Sequence, residues 1–407
     1  MSKITSEQAK SIVAAYGIKT LEDAHYAVKD LMKEVLQKTL EAELDASIGH
    51  EKYARNEASN GNHRNGSYDK KVRSTFGEMN LDIPRDRKGR YEPIIIEKGK
   101  TDVSDLESRL ISMYARGMST RDIQAHMDDI YGVKMSAEMI SNVTDKILPH
   151  IKEWQSRELQ AIYPILYMDA IHFNVRDNGR TVKKAIYLAL AIDCEGMKDV
   201  LGIWVGGNES SKYWLSVLTE LKNRGVKDIF MACIDGLSGF ELAIQAVFPK
   251  TDIQRCIVHQ VRYSCKFVNY KDRKQFCADM KSIYAAPTEE AGLEYLTKFD
   301  DKWGKKYAYA VKSWESNWAS LATFFKYPDE IRRLIYTKNP IESLNSIIRK
   351  YAGPKRIFPT DDSVLKSVFL AVETRLKKWT MRTKNWGTIF DQLAIHFQER
   401  LEVLINS

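Results

Sequence analysis

Apolar residues recur along this chain at two spacings, and the switch between them sets its organisation. From residue 21 to residue 48 the spacing is three and four. Val28, Leu31, Met32, Val35, Leu36, Leu40, Leu44 and Ile48 fall on one face of a predicted helix that Gly49 stops. Such a stripe packs on a neighbouring element or on a second copy of the chain. Between Ala58 and Pro93 the pattern shortens to a hairpin, Tyr68–Phe76 and Glu78–Ile83, with turn signals at Asn60-Gly61 and Asn65-Gly66. Its basic tail Pro84–Arg90 carries Arg85, Arg87 and Lys88, which either track phosphates or simply face water. Helical spacing returns over 104–148 in three short runs. Leu106, Leu110, Ile111 and Met113/Tyr114 mark the first; Ser119 or Thr120 caps the second, which holds Ile123, Met127 and Ile130. After the turn Tyr131-Gly132-Val133, Ser136 caps the third, Ala137–Leu148. Helix, short Gly-containing turn, helix is the helix-turn-helix plan, although any three-helix core gives the same pattern. On the DNA-binding reading Arg121, Ser136, Ser141, Asn142 and Lys146 meet DNA, the last three at base edges.

Past a connector, Pro149 to Arg157, the spacing becomes strand-like. Predicted strands are Ile165–Val175, Ala185–Asp193, Val200–Val205, Asp228–Asp235 and Asp252–Val258, with helices at Ser211–Arg224 and Ser238–Phe248. The order β-β-β-α-β-α-β is an antiparallel meander extended by right-handed parallel crossovers, the layout of a ribonuclease-H-like α/β core with a mixed five-stranded sheet. Strand patterning then stops. Residues 261–336 read as an all-helical insertion containing Trp303, Trp314 and Trp318, which are core residues or else platforms for an unpaired base. The expected division is 1–57 helical, 58–101 basic hairpin, 102–150 helix-turn-helix, 151–260 first part of the core, 261–336 insertion, and 337–407 second part of the core with basic helices.

The chemistry gathers around Asp169. It interrupts the apolar run Pro164–Phe173, and an unpaired buried charge is costly, so it needs a salt bridge, a wet strand edge or a ligand. Asp235 repeats the arrangement at the end of the fourth strand. First and fourth strands of this sheet are neighbours, so the two carboxylates can lie side by side, which a divalent cation makes tolerable. Asp193 also ends a strand and competes, but its strand runs antiparallel to the first. Glu342 is the third member. Asn339 reads as a helix cap, Pro340 as the first helical position, Ile341, Leu344 and Ile348 as the buried side, and Glu342, Asn345 and Arg349 as a polar stripe. Glu at that third helical position also fits a capping box, so both readings stand. Cys256 and His259 offer two zinc-type ligands with no second pair at finger spacing, which favours a structural Cys and a His supporting the site.

Composition narrows the class. Hydrophobic residues at 44% and charged residues at 29% are those of a soluble globular chain, no apolar run reaches the about 18 residues of a membrane span, and the N-terminal stretch Met1-Ser-Lys-Ile-Thr5 lacks a signal-peptide h-region. Five scattered cysteines make no disulfide framework and fit a reducing cytosol. The net charge of +8 is unevenly placed: Arg349–Lys384 holds ten Lys or Arg against three Asp or Glu, including Lys355, Arg356, Lys377 and Lys378. That excess suits a polyanion surface or a solvated helix face.

Four motifs in order then identify a resemblance. Tyr167-Met-Asp-Ala-Ile-His-Phe173, Cys233-Ile-Asp-Gly-Leu-Ser-Gly-Phe240, Arg255-Cys-Ile-Val-His-Gln260 and Thr337-x-Asn-x-Ile-Glu-Ser-Leu-Asn345 resemble the mutator-type DDE transposases of bacterial insertion sequences. The likeness runs nearly the whole length, including Tyr114–Ile123; Lys338 and Pro340 stand where relatives carry small or hydroxyl residues. The resemblance implies Asp169, Asp235 and Glu342 as catalytic residues and as ligands of Mg²⁺, with Mn²⁺ as substitute, and Cys256 with His259 as a Cys-x2-His signature. It implies hydrolysis at an element end to free a 3′-OH, then attack of that hydroxyl on target DNA. Two ions about 3.5–4 Å apart suit both steps. The partners implied are the terminal inverted repeats and target DNA, no membrane, and a homodimer or larger assembly in a bacterial cytoplasm, at the nucleoid. A ribonuclease-H-like nuclease that cuts without joining, or a non-catalytic DNA-binding regulator, are the alternatives.

Overall fold

In the computed structural model, which describes residues 10, 13–49, 62–74, 77–93, 95–96, 104–131, 135–336 and 339–405, the chain divides into two units, Met1–Ile147 and Leu148–Ser407. Of the expected signals, Asn60-Gly61, Gly132-Val133 and Thr337-Lys338 lie outside the described residues.

The long helix of the first unit, α1 (Leu21–Ile48), is started by a reciprocal cap between Thr20 and Asp23 and ended by Gly49 in the left-handed region at φ 84°. Its stripe is consumed within the unit. Met32, Leu36 and Leu40 pack on Val72, Met79, Leu81 and Ile83 of the antiparallel pair β1 (Arg64–Ser74) and β2 (Gly77–Asp86). Of the stripe, Val28 and Leu31 stay more than a third exposed. Asn65-Gly66 is not the hairpin turn; the register slips there, inside β1, and Gly66 at φ 69° marks a bulge. Past β2 the Asp86 carboxylate gathers the basic tail, accepting from Asn62 Nδ2 at 2.7 Å and from the N–H groups of Arg90 and Tyr91 at 3.0 and 3.1 Å. Burial pushes that carboxyl up, but these hydrogen bonds together outweigh it and hold it at about 2.

Three helices complete the unit: α2 (Ser104–Ala115), α3 (Thr120–Tyr131) and α4 (Ala137–Asp145). Ser119 caps α3, exchanging bonds with Asp122, and Ser136 caps α4, its hydroxyl accepting from the N–H of Met139 at 3.0 Å. The third helix stops at Asp145 rather than Leu148, and the stretch read as a connector is helical, α5 (Ile147–Ser156). Pro149 is no obstacle there, because the first four N–H groups of a helix have no partner inside it.

The second unit is built on one five-stranded mixed sheet: β3 (Ile162–Asp177), β4 (Arg180–Ile192), β5 (Lys198–Gly206), β6 (Asp228–Ile234) and β7 (Asp252–Arg255), in the order β5-β4-β3-β6-β7. β3, β4 and β5 are antiparallel neighbours, whereas β6 lies parallel to β3 and β7 parallel to β6. β3 and β4 outrun their apolar stretches because Asn178 and Gly179, both at positive φ, join them in a two-residue turn. Helices α6 (Ser211–Asn223) and α7 (Phe240–Val247) pack Trp214, Leu218, Phe240 and Ile244 against Leu166, Met168 and Ala232 of the sheet. β7 ends at Arg255, short of the predicted Val258, because the chain turns at Cys256 into α8 (Ile257–Cys265).

From α8 the chain is helical: α9 (Tyr270–Tyr284), α10 (Glu289–Glu315), α11 (Trp318–Leu321), a 3-10 turn Thr323–Lys326 and α12 (Asp329–Ile335). Burial weighs against the base-stacking reading for Trp303 and Trp314. Trp303 and Trp314 are in the core, with indole N–H groups donating to Asp279 and Ser264, so neither shows a face to a ligand. Trp318 is half-buried, its N–H on Glu289 and its ring against Phe325. The end of this segment covers the outer strand. Thr323 Oγ1 donates to the carbonyl of Ile253 at 2.7 Å, and the Gln254 side chain bridges the carbonyl of Leu321 and the N–H of Phe324. Helices α13 (Asn339–Ala352), α14 (Asp361–Leu376), α15 (Trp386–His396) and α16 (Gln398–Ile405) follow, with α13 packed on β3 and α14.

Candidate active site

The first two carboxylates follow the ends of a parallel strand pairing. The parallel pair β3/β6 matches Ile165 with Met231, Leu166 with Ala232 and Tyr167 with Cys233. The pairing stops there: Asp169 follows two residues later on β3, and Asp235 one residue past the end of β6 at Ile234. Neighbouring strands lie about 4.8 Å apart. Tyr167 and Cys233 are roofed by the end of α12, where Tyr167 Oη donates to the carbonyl of Leu334 at 3.0 Å and Cys233 Sγ to that of Ile335 at 3.5 Å. Burial pushes the Tyr167 hydroxyl well above its ordinary range, which keeps it a neutral donor.

β3 runs on beyond β6, and further along Val175 bridges Phe358, with the N–H of Phe358 bonded to Asn174. Asp169 lies in the interval between these two pairings, and α13 approaches it there. Asn345 Nδ2 donates to Asp169 Oδ2 at 2.6 Å; Asn345 is 1% exposed, and its Oδ1 is buried without a hydrogen-bond partner. Asp235 Oδ1 accepts from the N–H of Leu237 at 3.2 Å, which fixes the turn into α7.

Glu342, one helical turn before Asn345, is engaged elsewhere. Its Oε1 accepts from Arg262 of α8 at 3.1 Å, with 62% of the Arg262 side chain and 28% of the Glu342 side chain exposed. Among the described residues no three His, Cys, Asp or Glu side chains are grouped so as to hold a metal ion. The structure therefore joins Asp169 to α13 through Asn345 and gives Glu342 a cationic partner.

Asp193 is a turn residue, its Oδ1 accepting from the N–H groups of Glu195 and Met197 at 2.9 and 2.8 Å. Since Asp169 pairs with Leu188, Asp193 lies five places along β4, about 16 Å away. Cys256 is buried at the start of α8, its N–H on the carbonyl of Ile234 at 2.8 Å, and His259 sits half-buried one turn later. Arg349 is exposed at the far end of the α13 stripe.

Among the basic residues, Arg85, Arg87, Lys88, Arg121, Arg356 and Lys378 are exposed. Three others are engaged. Lys146, which ends α4, pairs with the buried Glu107 at 2.8 Å, Lys355 donates to Ser367 at 2.9 Å, and Lys377 pairs with Glu373 at 3.2 Å. Ser136 is spent on its cap, while Ser141 is half-buried and Asn142 exposed on α4. Sequence reasoning missed Arg262, which reaches Glu342 across 80 residues of chain, and no local signal marks it.

The model of a family described as "Transposase, Mutator family" matches residues 3–382. The chain is 43% identical over 372 residues to a probable transposase for an ISRM3-like insertion sequence element of Sinorhizobium fredii, covering 91% of this chain and 92% of that one. It is 42% identical, at the same coverage, to the transposase for insertion sequence element ISRM3 of Rhizobium meliloti. A probable insertion-sequence transposase of Corynebacterium diphtheriae is 39% identical over 338 residues, 78% of this chain and 98% of that one.

Proposed function

The chain belongs to the Mutator family of transposases, and on that premise we propose that it cuts DNA at the ends of an insertion sequence and joins the freed 3′-OH to target DNA, using Asp169, Asp235 and Glu342. What supports this reading is the β3/β6 pairing, which ends two residues short of Asp169 and of Asp235, together with the bond from Asn345, on the helix that bears Glu342, to Asp169. A ribonuclease-H-like core is the fold this reading assigns to the mixed sheet. The helices α2 to α4 then serve as a helix-turn-helix that meets element ends through Asn142 and Ser141 on α4 and Arg121 on α3. Lys146 has a lesser part, since Glu107 holds it.

The donor set suits Mg²⁺ or Mn²⁺: carboxylate oxygens are the ligands hard cations take, and Asn345 Oδ1, buried and without a hydrogen-bond partner, is a further oxygen beside them. Asp169 and Asp235 would hold the ions with Glu342, whose exposed pair with Arg262 is of the kind worth about 0–1 kcal/mol and so readily given up. Bound there, the cations would activate the attacking oxygen and stabilise the leaving one. Asn345 keeps the Asp169 carboxylate turned toward α13, the Leu237 N–H holds Asp235 at the turn into α7, and the apolar strands behind exclude water.

The test is Glu342→Gln, assayed for divalent-ion-dependent strand cleavage and strand transfer on element-end DNA. A folded, DNA-binding variant that no longer cleaves is the expected result; wild-type cleavage in that variant removes Glu342 from the site. The same assay separates the alternatives. Cleavage without joining by the wild type marks a nuclease, and DNA binding with neither reaction marks a regulator.

A further inference from the structure

An aromatic patch stands exposed beside the residues assigned above. Tyr263 on α8, Phe267 just past it and Tyr309 on α10 are 40%, 41% and 71% exposed. Their rings touch in a chain: Tyr263 and Phe267 lie 5.1 Å apart edge to face, and Phe267 and Tyr309 lie 5.4 Å apart. Folding gains little from large rings left in water, and clustered ones mark a surface made for a partner. Tyr307 shows the contrast, since its ring is buried among Phe276 and Trp303 while Tyr309, two residues on, points outward.

The charge around the patch selects the partner. Lys266 Nζ lies 5.9 Å from the Tyr263 ring centre, and Arg262 adjoins Tyr263 in the chain. No acidic residue occurs on α8, nor between Gly304 and Trp314 around Tyr309. Aromatic faces interleaved with cations suit a nucleic acid strand. A duplex hides its base faces, so stacking calls for an unpaired one. Arg262 also ties the patch to Glu342, and α13 ties Glu342 to Asp169.

We propose that Tyr263, Phe267 and Tyr309 form a platform that stacks bases of a DNA strand left unpaired next to the cleaved phosphate, while Arg262 and Lys266 follow its backbone. The inference rests on the transposase reading above. It assigns the stacking role to exposed rings of α8 and α10, in place of the tryptophans inside the helical segment.

The test compares binding of a short fluorescein-labelled oligothymidylate with binding of a blunt DNA duplex of equal length, by anisotropy. The Phe267→Ala/Tyr309→Ala variant should lose between about fivefold and about a hundredfold in single-strand affinity and keep its duplex affinity. Phe267→Tyr/Tyr309→Phe, which preserves the stacking faces, should bind like wild type. Circular dichroism and sedimentation check fold and oligomeric state. Unchanged single-strand binding in the alanine variant overturns the platform, as does a change in oligomeric state without one in single-strand binding, which would make the patch a contact between copies. Cleavage and duplex binding by the wild type report separately on the transposase reading; loss of both would sink that reading and the platform with it.

Discussion

Removing the Arg262 side chain should make the reaction need less Mg²⁺. The Arg262–Glu342 pair spans 3.1 Å, with 62% and 28% of the two side chains exposed. Two charges about 4 Å apart in water attract by about 1 kcal/mol, and measured exposed pairs retain about 0–1 kcal/mol after ordering and screening. Arg262→Ala should therefore cost at most about 1 kcal/mol of stability, and release Glu342 for a cation by the same amount. That corresponds to a fall of up to about fivefold in the half-saturating Mg²⁺ concentration. The assay is strand cleavage of element-end DNA at saturating DNA, titrated with Mg²⁺, for wild type, Arg262→Ala and Glu342→Gln. The gap between wild type and Arg262→Ala should shrink in high salt, which screens the pair. A higher Mg²⁺ requirement in Arg262→Ala would refute the reasoning, because Arg262 would then be holding Glu342 in place rather than withholding it.

Asn345→Ala removes a hydrogen bond to a carboxylate, worth about 1.5–3 kcal/mol, so cleavage should fall about tenfold or more with DNA binding intact. Wild-type cleavage rates would reduce Asn345 to packing. Trp314→Ala opens the core of the helical segment and should cost about 3–5 kcal/mol in chemical denaturation while leaving single-strand affinity of the folded protein unchanged; a selective loss of DNA binding would restore Trp314 as a contact. Asp86 sits below its unfolded value of 3.8, at about 2. Its stabilising contribution is therefore present above about pH 4 and lost as the pH falls through about 2. The melting difference between wild type and Asp86→Asn should narrow from neutral pH toward that range, and a constant difference would contradict it. Burial, joined for Cys265 by its hydrogen bond with Cys277 and for Cys194 by the Asp193 charge, pushes both thiols up to about 11. Alkylation followed by mass spectrometry should rise about tenfold per pH unit up to that value, whereas a plateau near pH 8.5 would mean ordinary, accessible thiols.

The sheet was legible because its inner strands are apolar runs, and their order follows from the chirality of crossovers. Strand ends were not. The outer turns of β3 and β4, Asn174 to Lys184, are polar and mostly exposed, so no hydrophobic pattern announces them, although Asn178-Gly179 is a hairpin signal in its own right. β7 failed the other way: Ile257 and Val258 continue the apolar run but belong to a helix, which hydrophobicity alone cannot separate from a strand over so few residues. Asp169 and Asp235 could be singled out as polar breaks in apolar strands. Arg262, Tyr263, Phe267 and Tyr309 could not, because what makes them notable is proximity across separate helices. The partners of the tryptophans were illegible for a related reason: their indole N–H groups donate to Asp279, Ser264 and Glu289, far away in the sequence.

The seal over β7 has a consequence for how copies of this protein can meet. An open sheet rim invites a neighbour to add a strand, and many proteins assemble or aggregate that way. Here the carbonyl of Ile253 and the side chain of Gln254 are already committed to Thr323, Leu321 and Phe324 of the same chain. A second molecule that paired with the Ile253 carbonyl would first have to displace Thr323 from it.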